Sequence, residues 1–474
     1  MMKKRILLIN PNYTYFPGWL STAVNYKGLS LGLAYIAGFL RKQNNVKVRI
    51  FDAVILNATI KDIILDIKKF NPDIIGITTT TITINGARQI AQAAKKILKD
   101  IIIVLGGPHV SALPFENLDV ANFCVIGEGE VTFSELVTEI NNQKAWDNIK
   151  GISFKKNGEF VKTPSRNLIE NLDCLPFPAR DLLPEHKFMH IYPYRLNNPY
   201  YENLVTSRGC NFNCNFCLND LMWQKRTRYR SLNSVFEEID ILVKNKNTSV
   251  LFFQDDNFTS NFDRIYEFCT KKRIYFPDLK WICHARVDFL TLPLLKEMES
   301  AGCVEIQLGV ESGENSILSD SNKSFKKESI IKAFNFIRKT KINSWATVII
   351  GHENDTKATV EETIKFVKAI DPTYCTFLFL SPLPGTKTFA DFSKKRFIKT
   401  YDWDKYGWHG EPVFETHLLN RKMLLKLRRK AYCDFYIRPK NFLKYFHILF
   451  YRKQFSTIIN NLLIMIKFIF SPVK

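Results

Sequence analysis

The sequence contains few cysteines and no long hydrophobic run. Its 474 residues include only ten cysteines, far below the density of a disulfide-stapled protein, so a reducing, cytoplasmic setting is predicted. Basic residues precede a short apolar run at the amino terminus, but Asn10 and Pro11 follow at once, which leaves no signal-peptide core. The most apolar stretch, residues 458–470, is shorter than the roughly 20 residues that span a bilayer, and Lys467 interrupts it. A disulfide scaffold and a membrane-spanning protein are therefore not expected.

Acidic residues are almost absent from the last eighth of the chain. Residues 420–474 carry 13 Lys and Arg against one acidic residue, Asp434, a net +12 out of the +21 of the whole chain. At 441–453 apolar residues recur at helical spacing beside basic ones. Such a helix suits peripheral contact with an anionic inner membrane face, but a helical pair packed on the main body with its basic face in water has the same pattern. No nucleic-acid motif accompanies the charge, so no nucleic-acid partner is expected.

Five β-rich runs alternate with helical patterns in the first part of the chain. The runs, at 5–10, 46–52, 73–80, 101–107 and 122–127, are apolar almost throughout, as in strands buried on both faces. The alternation predicts an α/β fold, a Rossmann-like doubly wound domain over residues 1–145. Ligands of such sheets bind beyond the carboxyl ends of the strands. At those ends the sequence supplies Thr78, Thr79, Thr80, Gly106, Gly107, His109, Gly127 and Glu128.

A second series of strands and helices follows a proline-rich linker. Residues 146–198 contain a predicted hairpin around Asn157 and Gly158 and then little periodicity. Residues 199–386 are predicted to form a partial (β/α)6 barrel of the TIM type, with its chemistry at the carboxyl ends of the strands. Its strands are expected at 204–207, 250–254, 281–285, 305–309, 346–350 and 376–380. Residues 387–474 are predicted to be a helical, basic carboxyl-terminal region.

Three cysteines lie together directly after the first strand of the predicted barrel. Cys210, Cys214 and Cys217 fall within eight residues. Thiolates on such a local loop hold iron–sulfur clusters, and three ligands instead of four leave one iron open to a substrate or cofactor. A zinc site would need a fourth cysteine or histidine, and no histidine lies between Cys210 and Cys217; a chance cluster of reduced thiols is the other alternative. A catalytic iron–sulfur cluster is the favoured interpretation.

The spacing Cys210-x3-Cys214-x2-Cys217, with Phe216 before the last cysteine, resembles the signature of the radical S-adenosylmethionine (SAM) enzymes. The amino-terminal domain resembles the cobalamin-binding domain that precedes the radical domain in one large subfamily. The resemblance implies a 4Fe-4S cluster whose open iron binds SAM, a bound cobalamin, and a reductant protein such as flavodoxin or ferredoxin. It further implies a 5′-deoxyadenosyl radical that abstracts hydrogen from an unactivated carbon.

The resemblance also implies roles for residues at the ends of the barrel strands. Asp255 and Asp256 are the implied partners of the methionine ammonium, for which a carboxylate is the natural counterion. Arg286 is the implied partner of the methionine carboxylate, while Glu311 and Ser312 reach ribose hydroxyls. The alternative for these residues is salt bridging or helix capping around the barrel mouth.

Gly351 ends the strand that resembles the adenine-lining strand of the family. The family's usual Pro-Gly after this strand is replaced here by residues 352–355, a departure that leaves the shape of the loop open. Four further cysteines fall on apolar elements and are predicted to be core residues: Cys269, Cys283, Cys303 and Cys375.

The edge of the first domain has features that suit a corrinoid. The threonines at 78–80, with Gly106 and Gly107, provide hydroxyls and close backbone approach for a flat ring and its nucleotide tail. The Asp-x-His-x-x-Gly motif that supplies a histidine ligand to cobalt in many cobalamin proteins is absent. His109 is a conceivable ligand by type, but is more readily explained as a loop residue that packs near the corrin. The alternative is a structural domain without its ligand.

The favoured function is that of a cobalamin-dependent radical SAM enzyme that methylates an unactivated carbon. The same architecture implies a rival, oxidative cyclisation or rearrangement without net methyl transfer, as in the anaerobic porphyrin-ring cyclase. A third alternative is a non-enzymatic cobalamin- or membrane-associated binding protein with a structural cluster. A tail resting on a membrane would favour a lipid-like substrate over other small molecules.

Overall fold

The structure, a computed structural model, describes residues 3–12, 30–184, 201–407 and 410–439. These residues form two α/β units and a carboxyl-terminal helical region. The strands are β1 Lys4–Asn10, β2 Val46–Asp52, β3 Ile74–Thr78, β4 Ile102–Gly106, β5 Phe123–Val125, β6 Ile152–Lys156, β7 Glu159–Lys162, β8 Tyr201–Leu204, β9 Ser207–Arg208, β10 Arg228–Tyr229, β11 Val250–Phe253, β12 Lys280–Ala285, β13 Cys303–Glu311, β14 Asn343–Ile350 and β15 Tyr374–Phe379. The helices are α1 Leu31–Gln43, α2 Ala53–Leu56, α3 Ile60–Phe70, α4 Ile84–Ile97, α5 Pro108–Ala112, α6 Gly129–Glu139, α7 Asn219–Trp223, α8 Leu232–Lys246, α9 Phe262–Tyr275, α10 Leu292–Ser300, α11 Asn315–Asp320, α12 Lys327–Ile337, α13 Lys357–Ile370, α14 Lys387–Lys394 and α15 Arg421–Tyr436.

The first unit is a seven-stranded sheet in the order β2-β1-β3-β4-β5-β6-β7. Strands β1 to β5 are parallel, which confirms the doubly wound fold predicted from the sequence. Leu7 and Ile9 of β1 pack into one hydrophobic core, while Ile6 and Leu8 pack into the other. This burial on both faces explains the almost continuous apolar runs. The carboxyl ends of β3, β4 and β5 form one edge of the sheet, where the predicted ligand residues lie.

The hairpin that the sequence placed in the linker belongs to this first sheet. Strands β6 and β7 turn at Asn157 and Gly158, which both have positive φ, 50° and 90°. β6 pairs antiparallel with β5, and the ring of Phe154 lies 5.9 Å from that of Phe123. The linker prediction is corrected here, because these rings complete the hydrophobic core of the first unit. Residues 185–200 of the predicted linker lie outside the described residues.

The second unit is a six-stranded parallel sheet in the order β15-β14-β13-β12-β11-β8. The spatial order follows the chain order and the two ends do not pair, which confirms the open TIM-type barrel predicted from the sequence. An antiparallel two-stranded ribbon, β9 and β10, is inserted after β8. The three cysteines of the motif lie between the two strands of this ribbon.

The two faces of the barrel strands differ in their contact with solvent. Along β14, Ala346, Val348 and Ile350 are buried in the core that includes the outer helices, whereas Trp345 and Thr347 between them are half-buried. The same alternation recurs along β15. The inner face of the described barrel therefore lines a space that these side chains do not fill, unlike the packed interior of a closed TIM barrel.

The carboxyl-terminal region covers the edge of the barrel. Helix α15 packs on β15 and α13. The hydroxyl of Tyr436 donates to the carbonyl oxygen of Cys375 at 2.7 Å, and that of Tyr432 accepts from the N–H of Phe377 at 3.2 Å. The tyrosines of α15 thereby bond to backbone groups of β15, an edge strand that would otherwise be open to pairing with another chain.

Only part of the basic tail belongs to the described residues. The amphipathic stretch 441–453 and the apolar stretch 458–470 lie outside the described residues. The two interpretations of the tail, a membrane-bound helix and a packed helical pair, therefore stay predictions. Within the described ranges no helix combines the length and the hydropathy that a membrane span requires.

Candidate active site

The cysteine loop leaves β9 at Gly209, and its backbone is fixed at both ends. Gly209 has φ +90°, and a Cβ atom there would lie 2.1 Å from the carbonyl oxygen of Arg226, so a side chain does not fit. Asn219 accepts a hydrogen bond from the N–H of Cys210 at 2.9 Å and donates to the carbonyl oxygen of Phe212 at 2.9 Å. The sequence analysis missed Asn219, because an asparagine two residues after the last cysteine belongs to no recognised motif.

The three thiols of the cysteine loop differ in their contact with solvent. Cys210 and Cys214 are half-buried and Cys217 is exposed. Although Cys217 remains partly open to solvent, surrounding protein atoms displace much of the water around its thiol and that of Cys210; this is the first cause of the raised pKa of both, about 11 for Cys217, and Cys214 adds to both. Among the described residues no three His, Cys, Asp or Glu side chains converge as a single ion requires.

Asp255 and Asp256 follow β11 and face the root of the cysteine loop. The carboxylate of Asp255 is buried and accepts from the N–H of Thr206 at 2.7 Å and from the hydroxyl of Ser207 at 2.7 Å. Asp256 accepts from the N–H of Gly209 at 3.1 Å and keeps contact with solvent. Protein atoms around Asp256 displace part of its water, and this desolvation, with the negative charge of Asp255, raises the pKa of Asp256 to about 6. Asp255 therefore braces the barrel, and Asp256 is the one of the pair that is accessible to an ammonium group.

Arg286 lies flat against the cysteine loop. Its guanidinium carbon is 3.4 Å from the ring centroid of Phe212, and its nitrogens donate to both oxygens of Asp288 at 3.0 and 2.9 Å. The hydroxyl of Ser324 accepts a further hydrogen bond at 2.8 Å. These contacts place a fixed positive charge beside the cysteines and engage Nε and Nη2 of the guanidinium. The next helix, α10, is capped by Thr291 and not by Asp288, since the hydroxyl of Thr291 accepts from the N–H of Leu294.

Glu311 and Ser312 lie at the end of β13, where a bulge shifts the register. Glu311 has φ +60° and forms a buried ion pair with Lys323, whose Nζ is 2.9 Å from its Oε1. The hydroxyl of Ser312 lies 3.1 Å from that of Thr363, so Ser312 orders the loop that follows the strand. Lys323 also lies 5.4 Å from the ring centroid of Phe216. The sequence analysis missed Lys323, because nothing in its polar neighbourhood distinguishes it from a surface lysine.

The loop after β14, which departs from the family pattern, brings a histidine to the same place. Asp355 accepts from the N–H groups of Gly351 at 2.9 Å and His352 at 3.0 Å, and this forms the turn. Gly351 has φ +95°, and a Cβ atom there would lie 2.7 Å from the ring of Phe414, so the glycine is required by packing. His352 is buried, its Nδ1 lies 2.9 Å from the hydroxyl of Ser321, and its Nε2 has no partner among the described residues. Burial, with the charge of Lys323, lowers the pKa of His352 to about 4, so the ring is neutral.

The residues at the edge of the first sheet divide into an accessible set and a buried set. The accessible set is half-buried or exposed and consists of Thr78, Thr80, Gly106, Gly107 and Gly127. A Cβ atom at Gly127, which has φ +76°, would meet no atom of the described residues within 4 Å, so these residues leave the edge open there. Gly107 serves packing instead, because a Cβ atom would lie 2.5 Å from the carbonyl oxygen of Thr79. Thr79 is buried and donates to the carbonyl oxygen of Gly106 at 2.9 Å. The open edge, with its two accessible hydroxyls, fits a flat macrocycle.

His109 does not point into this edge as a free ligand. It is buried, its Nδ1 lies 3.3 Å from the hydroxyl of Thr81, and its Nε2 lies 3.3 Å from Oε2 of Glu116. The ring of Trp403 packs edge-on against it with centroids 5.2 Å apart. Both ring nitrogens lie within hydrogen-bond distance of protein groups, and His109 holds the carboxyl-terminal region on the first unit, while its place near the corrin stays a prediction.

Glu128 is also not a cofactor ligand, because its carboxylate is saturated by the protein. Its two oxygens accept from Arg208 at 2.7 Å and from Arg228 at 2.8 Å, and the N–H of Ile169 adds a third bond at 2.8 Å. Burial alone would raise the pKa of Glu128, but these hydrogen bonds and the charge of Arg208 outweigh burial and lower it. Glu128 joins the first unit to the base of the cysteine loop.

Two protein families match this chain. Residues 20–137 match the B12 binding domain, and residues 204–367 match the Radical SAM superfamily. An uncharacterized methyltransferase of Pyrococcus horikoshii is 35% identical over 90% of this chain and 91% of its own length. The anaerobic magnesium-protoporphyrin IX monomethyl ester cyclase of Rubrivivax gelatinosus is 29% identical over 93% of this chain and 79% of its own length.

Among solved structures, the fold is similar to that of OxsB, a cobalamin-dependent S-adenosylmethionine radical enzyme with aqua-cobalamin and S-adenosylmethionine bound. The TM-score is 0.74 at 17% sequence identity, over 97% of this chain and 72% of the other. At that identity the likeness concerns the fold.

Proposed function

This chain belongs to the radical SAM enzymes that carry a B12-binding domain, and we propose that it transfers a methyl group to an unactivated carbon of a small or lipid-like molecule. The observation that carries the proposal is the contact between its two halves. Arg208, two residues before Cys210, bonds to Glu128, the neighbour of Gly127 at the open edge of the first sheet. Such an arrangement serves a reaction that needs both cofactors at once. The methyltransferase relative, which matches over nine-tenths of both chains, supports methyl transfer.

The cofactors of this family are a 4Fe-4S cluster, SAM and cobalamin. When bound, the cluster and SAM supply a radical that removes hydrogen from carbon, and cobalamin supplies a methyl group. We assign the cluster to Cys210, Cys214 and Cys217, and the corrinoid to the accessible edge formed by Thr78, Thr80, Gly106 and Gly127.

The protein prepares the cysteine loop for a negatively charged cluster. The positive charge of Arg286 offsets part of the rise in the pKa of Cys210 that loss of water contact causes, and Lys323 acts in the same direction on Cys217. A nearby cation stabilises a thiolate over a thiol. Phe212 and Phe216 lie between these cations and the backbone of the loop, since Arg286 stacks on one ring and Lys323 faces the other. The side chains therefore offset thiolate charge and shield one side of the loop from water.

SAM is assigned to the groups gathered around Phe216. Asp256 suits the methionine ammonium, because a carboxylate is the natural partner of an ammonium group. The buried pair of Glu311 and Lys323 offers an acceptor for ribose hydroxyls and a cation for the methionine carboxylate. His352 offers an Nε2 that has no partner within the described ranges, in a buried environment where a hydrogen bond is stronger than in water.

Oxidative cyclisation is the second candidate. The cyclase of Rubrivivax gelatinosus matches 93% of this chain, and the same two domains serve both reactions in the family. The two candidates differ in product mass, because methylation adds a CH2 unit to the substrate and cyclisation does not.

The enzyme needs an electron donor, as radical SAM enzymes do. We propose a small redox protein such as flavodoxin or ferredoxin in the cytoplasm. The six Lys and Arg of residues 440–474, which no acidic residue offsets, support contact with an anionic membrane surface and hence a lipid-like acceptor.

The test of the proposed function uses the anaerobically purified, reconstituted full chain. It is incubated with cobalamin, dithionite and SAM that carries a trideuterated methyl group, together with extract of the source cells. Mass spectrometry then follows 5′-deoxyadenosine, bound corrinoid and labelled products. We expect deoxyadenosine, retained corrinoid and a product that carries the labelled methyl group; a new product without label would favour cyclisation and contradict methyl transfer.

Cysteine variants provide the matched control for this test. Cys214→Ala is expected to abolish deoxyadenosine formation. Cys174→Ala, at an exposed cysteine far along the chain from the motif, is expected to leave it unchanged. Deoxyadenosine formation by Cys214→Ala at the wild-type rate would remove the cysteine loop from the mechanism.

A further inference from the structure

A buried group of charges joins the base of the cysteine loop to the first unit. Arg208 donates through Nη1 to Glu128 at 2.7 Å and through Nη2 to Glu130 at 2.6 Å. The exposed fractions of these side chains are 11%, 4% and 5%, so the pairs are shielded from solvent. The partners lie 80 and 78 residues apart in sequence. Fork-shaped donation to two carboxylates fixes orientation as well as distance.

The ribbon β9-β10 strengthens this contact with a second arginine. Arg228 stands opposite Arg208 in the ribbon and donates to the other oxygen of Glu128 at 2.8 Å. One carboxylate therefore lies between two guanidinium groups, which would repel each other without it. The ring of Tyr35, from α1 of the first unit, lies 5.2 Å from the guanidinium of Arg208 and packs on its face.

The contact connects the two places where the cofactors are assigned. On one side, Arg208 is separated from Cys210 only by Gly209, whose backbone is held by Asp256. On the other side, Glu128 follows Gly127, the open position at the edge of the first sheet. A shift of either unit must therefore move one cofactor site relative to the other or break buried charge pairs.

We propose that Arg208, Glu128 and Glu130 form an interdomain clamp that sets the position of the corrinoid relative to the cluster. The three are positioning residues: they touch neither cofactor, and they act by fixing the two halves of the site. The proposal rests on the binding of both cofactors in the proposed function. Loss of the clamp should therefore let the two units shift relative to each other, while each unit keeps its own cofactor.

The test compares Glu128→Gln/Glu130→Gln with the wild-type full chain loaded with both cofactors. Pulsed dipolar EPR measures the distance between the cobalt of cob(II)alamin and the reduced cluster, and this needs no methyl acceptor. We expect one narrow distance in the wild-type protein and a shifted or broadened distribution in the variant. We also expect labelled product per deoxyadenosine to fall about tenfold or more, because small misplacements at a reacting centre have large effects on rate.

The matched control is the ion pair between Glu170 and Arg226, a residue of the connection between β9 and β10. It is bidentate at 2.8 Å, but its side chains are 52% and 62% exposed, so Glu170→Gln should leave the distance unchanged. Glu130→Gln alone, a milder change that removes one of the two negative charges paired with Arg208 but keeps an acceptor oxygen, is measured in parallel and decides the question if the double variant does not load both cofactors.

The outcomes separate the clamp from the proposed function. A wild-type distance distribution in the variants, or a broad one in the wild-type protein, overturns the clamp. A narrow wild-type distance that broadens in the variants supports it, even if no labelled product forms. In that last case the proposed methyl transfer fails and the clamp stands.

Discussion

The imidazole of His352 lies edge-on to the phenyl ring of Phe216, with ring centroids 6.1 Å apart. Phe216 belongs to the cysteine loop, and His352 comes from a loop that begins more than a hundred residues later. The contact holds the imidazole of His352 beside the cysteine loop. Its Nε2 is buried and has no partner in the part of the chain that the structure describes. A buried polar atom without a partner is costly, so we expect a ligand to satisfy it.

Replacement of His352 should therefore weaken binding of SAM. We expect His352→Ala to raise the KM for SAM about fivefold, since one hydrogen bond is worth about 1 kcal/mol, with iron content unchanged. His417→Ala, at an exposed histidine, is the control. Steady-state deoxyadenosine formation measures both, and an unchanged KM in His352→Ala would show that Nε2 does not meet this ligand.

Gly209→Ala should disrupt the cysteine loop far more than a glycine change with the same backbone angle elsewhere. Gly209 and Gly158 both have φ +90°, but a Cβ atom meets Arg226 at 2.1 Å in the first and open space in the second. We expect Gly158→Ala to cost about 1–2 kcal/mol of stability, the cost of a left-handed backbone alone. Gly209→Ala should in addition lose most of its iron. Iron per chain after reconstitution is the measurement, and equal iron in both variants would contradict the argument.

The stability of the barrel should fall as pH rises because of Glu305. This carboxyl group is fully buried on β13, one of its oxygens has no partner among the described residues, and burial raises its pKa to about 8. A raised pKa means that the folded state holds the proton more tightly than the unfolded chain. Stability is therefore complete below the unfolded pKa of about 4.5 and is lost as pH rises toward 8.

Glu305→Gln should remove this dependence, since the amide does not ionise. We expect its unfolding temperature to exceed that of the wild type by an increasing margin between pH 5 and pH 8.5. Glu328→Gln, at an exposed position, is the control. Thermal unfolding followed by circular dichroism gives the comparison, and a margin that does not change with pH would show that Glu305 is already ionised in the fold.

Truncation of the basic tail should separate membrane contact from catalysis. The cut belongs after Pro439, because α15 packs on β15 and its loss would expose the edge of the barrel. The shortened chain is expected to form deoxyadenosine at the wild-type rate and to lose binding to anionic vesicles at moderate salt, where only the full chain sediments with them. Co-sedimentation of the shortened chain would assign membrane contact to another surface.

The part of the site that consists of residues close together in sequence was predictable. Cys210, Cys214 and Cys217 lie on one short loop, so their spacing alone predicts a shared metal cluster. The almost continuous apolar runs likewise predicted the first sheet, whose strands are buried on two faces, and the alternation of strands with helices predicted the second. The edge residues Thr78 and Gly127 were predictable for the same reason, since parallel strands end at one edge.

The errors arose where the role of a side chain depends on distant partners. Glu128 and His109 carry groups that cofactors use, and the sequence cannot show that Arg208 and Glu116 occupy them. Lys323 was missed because its burial against Glu311 depends on the bulge in β13.

The sequence by itself determined the chemistry of this protein: three thiolates on one loop, two α/β units and the cofactors that they imply. Only the tertiary structure decided which polar groups stay accessible and which pair with one another inside the protein. The physical reason is that a buried charge must be paired, and its partner is brought to it by folding. Arg208 and Glu128, 80 residues apart, form one contact because two separate sheets pack at that point.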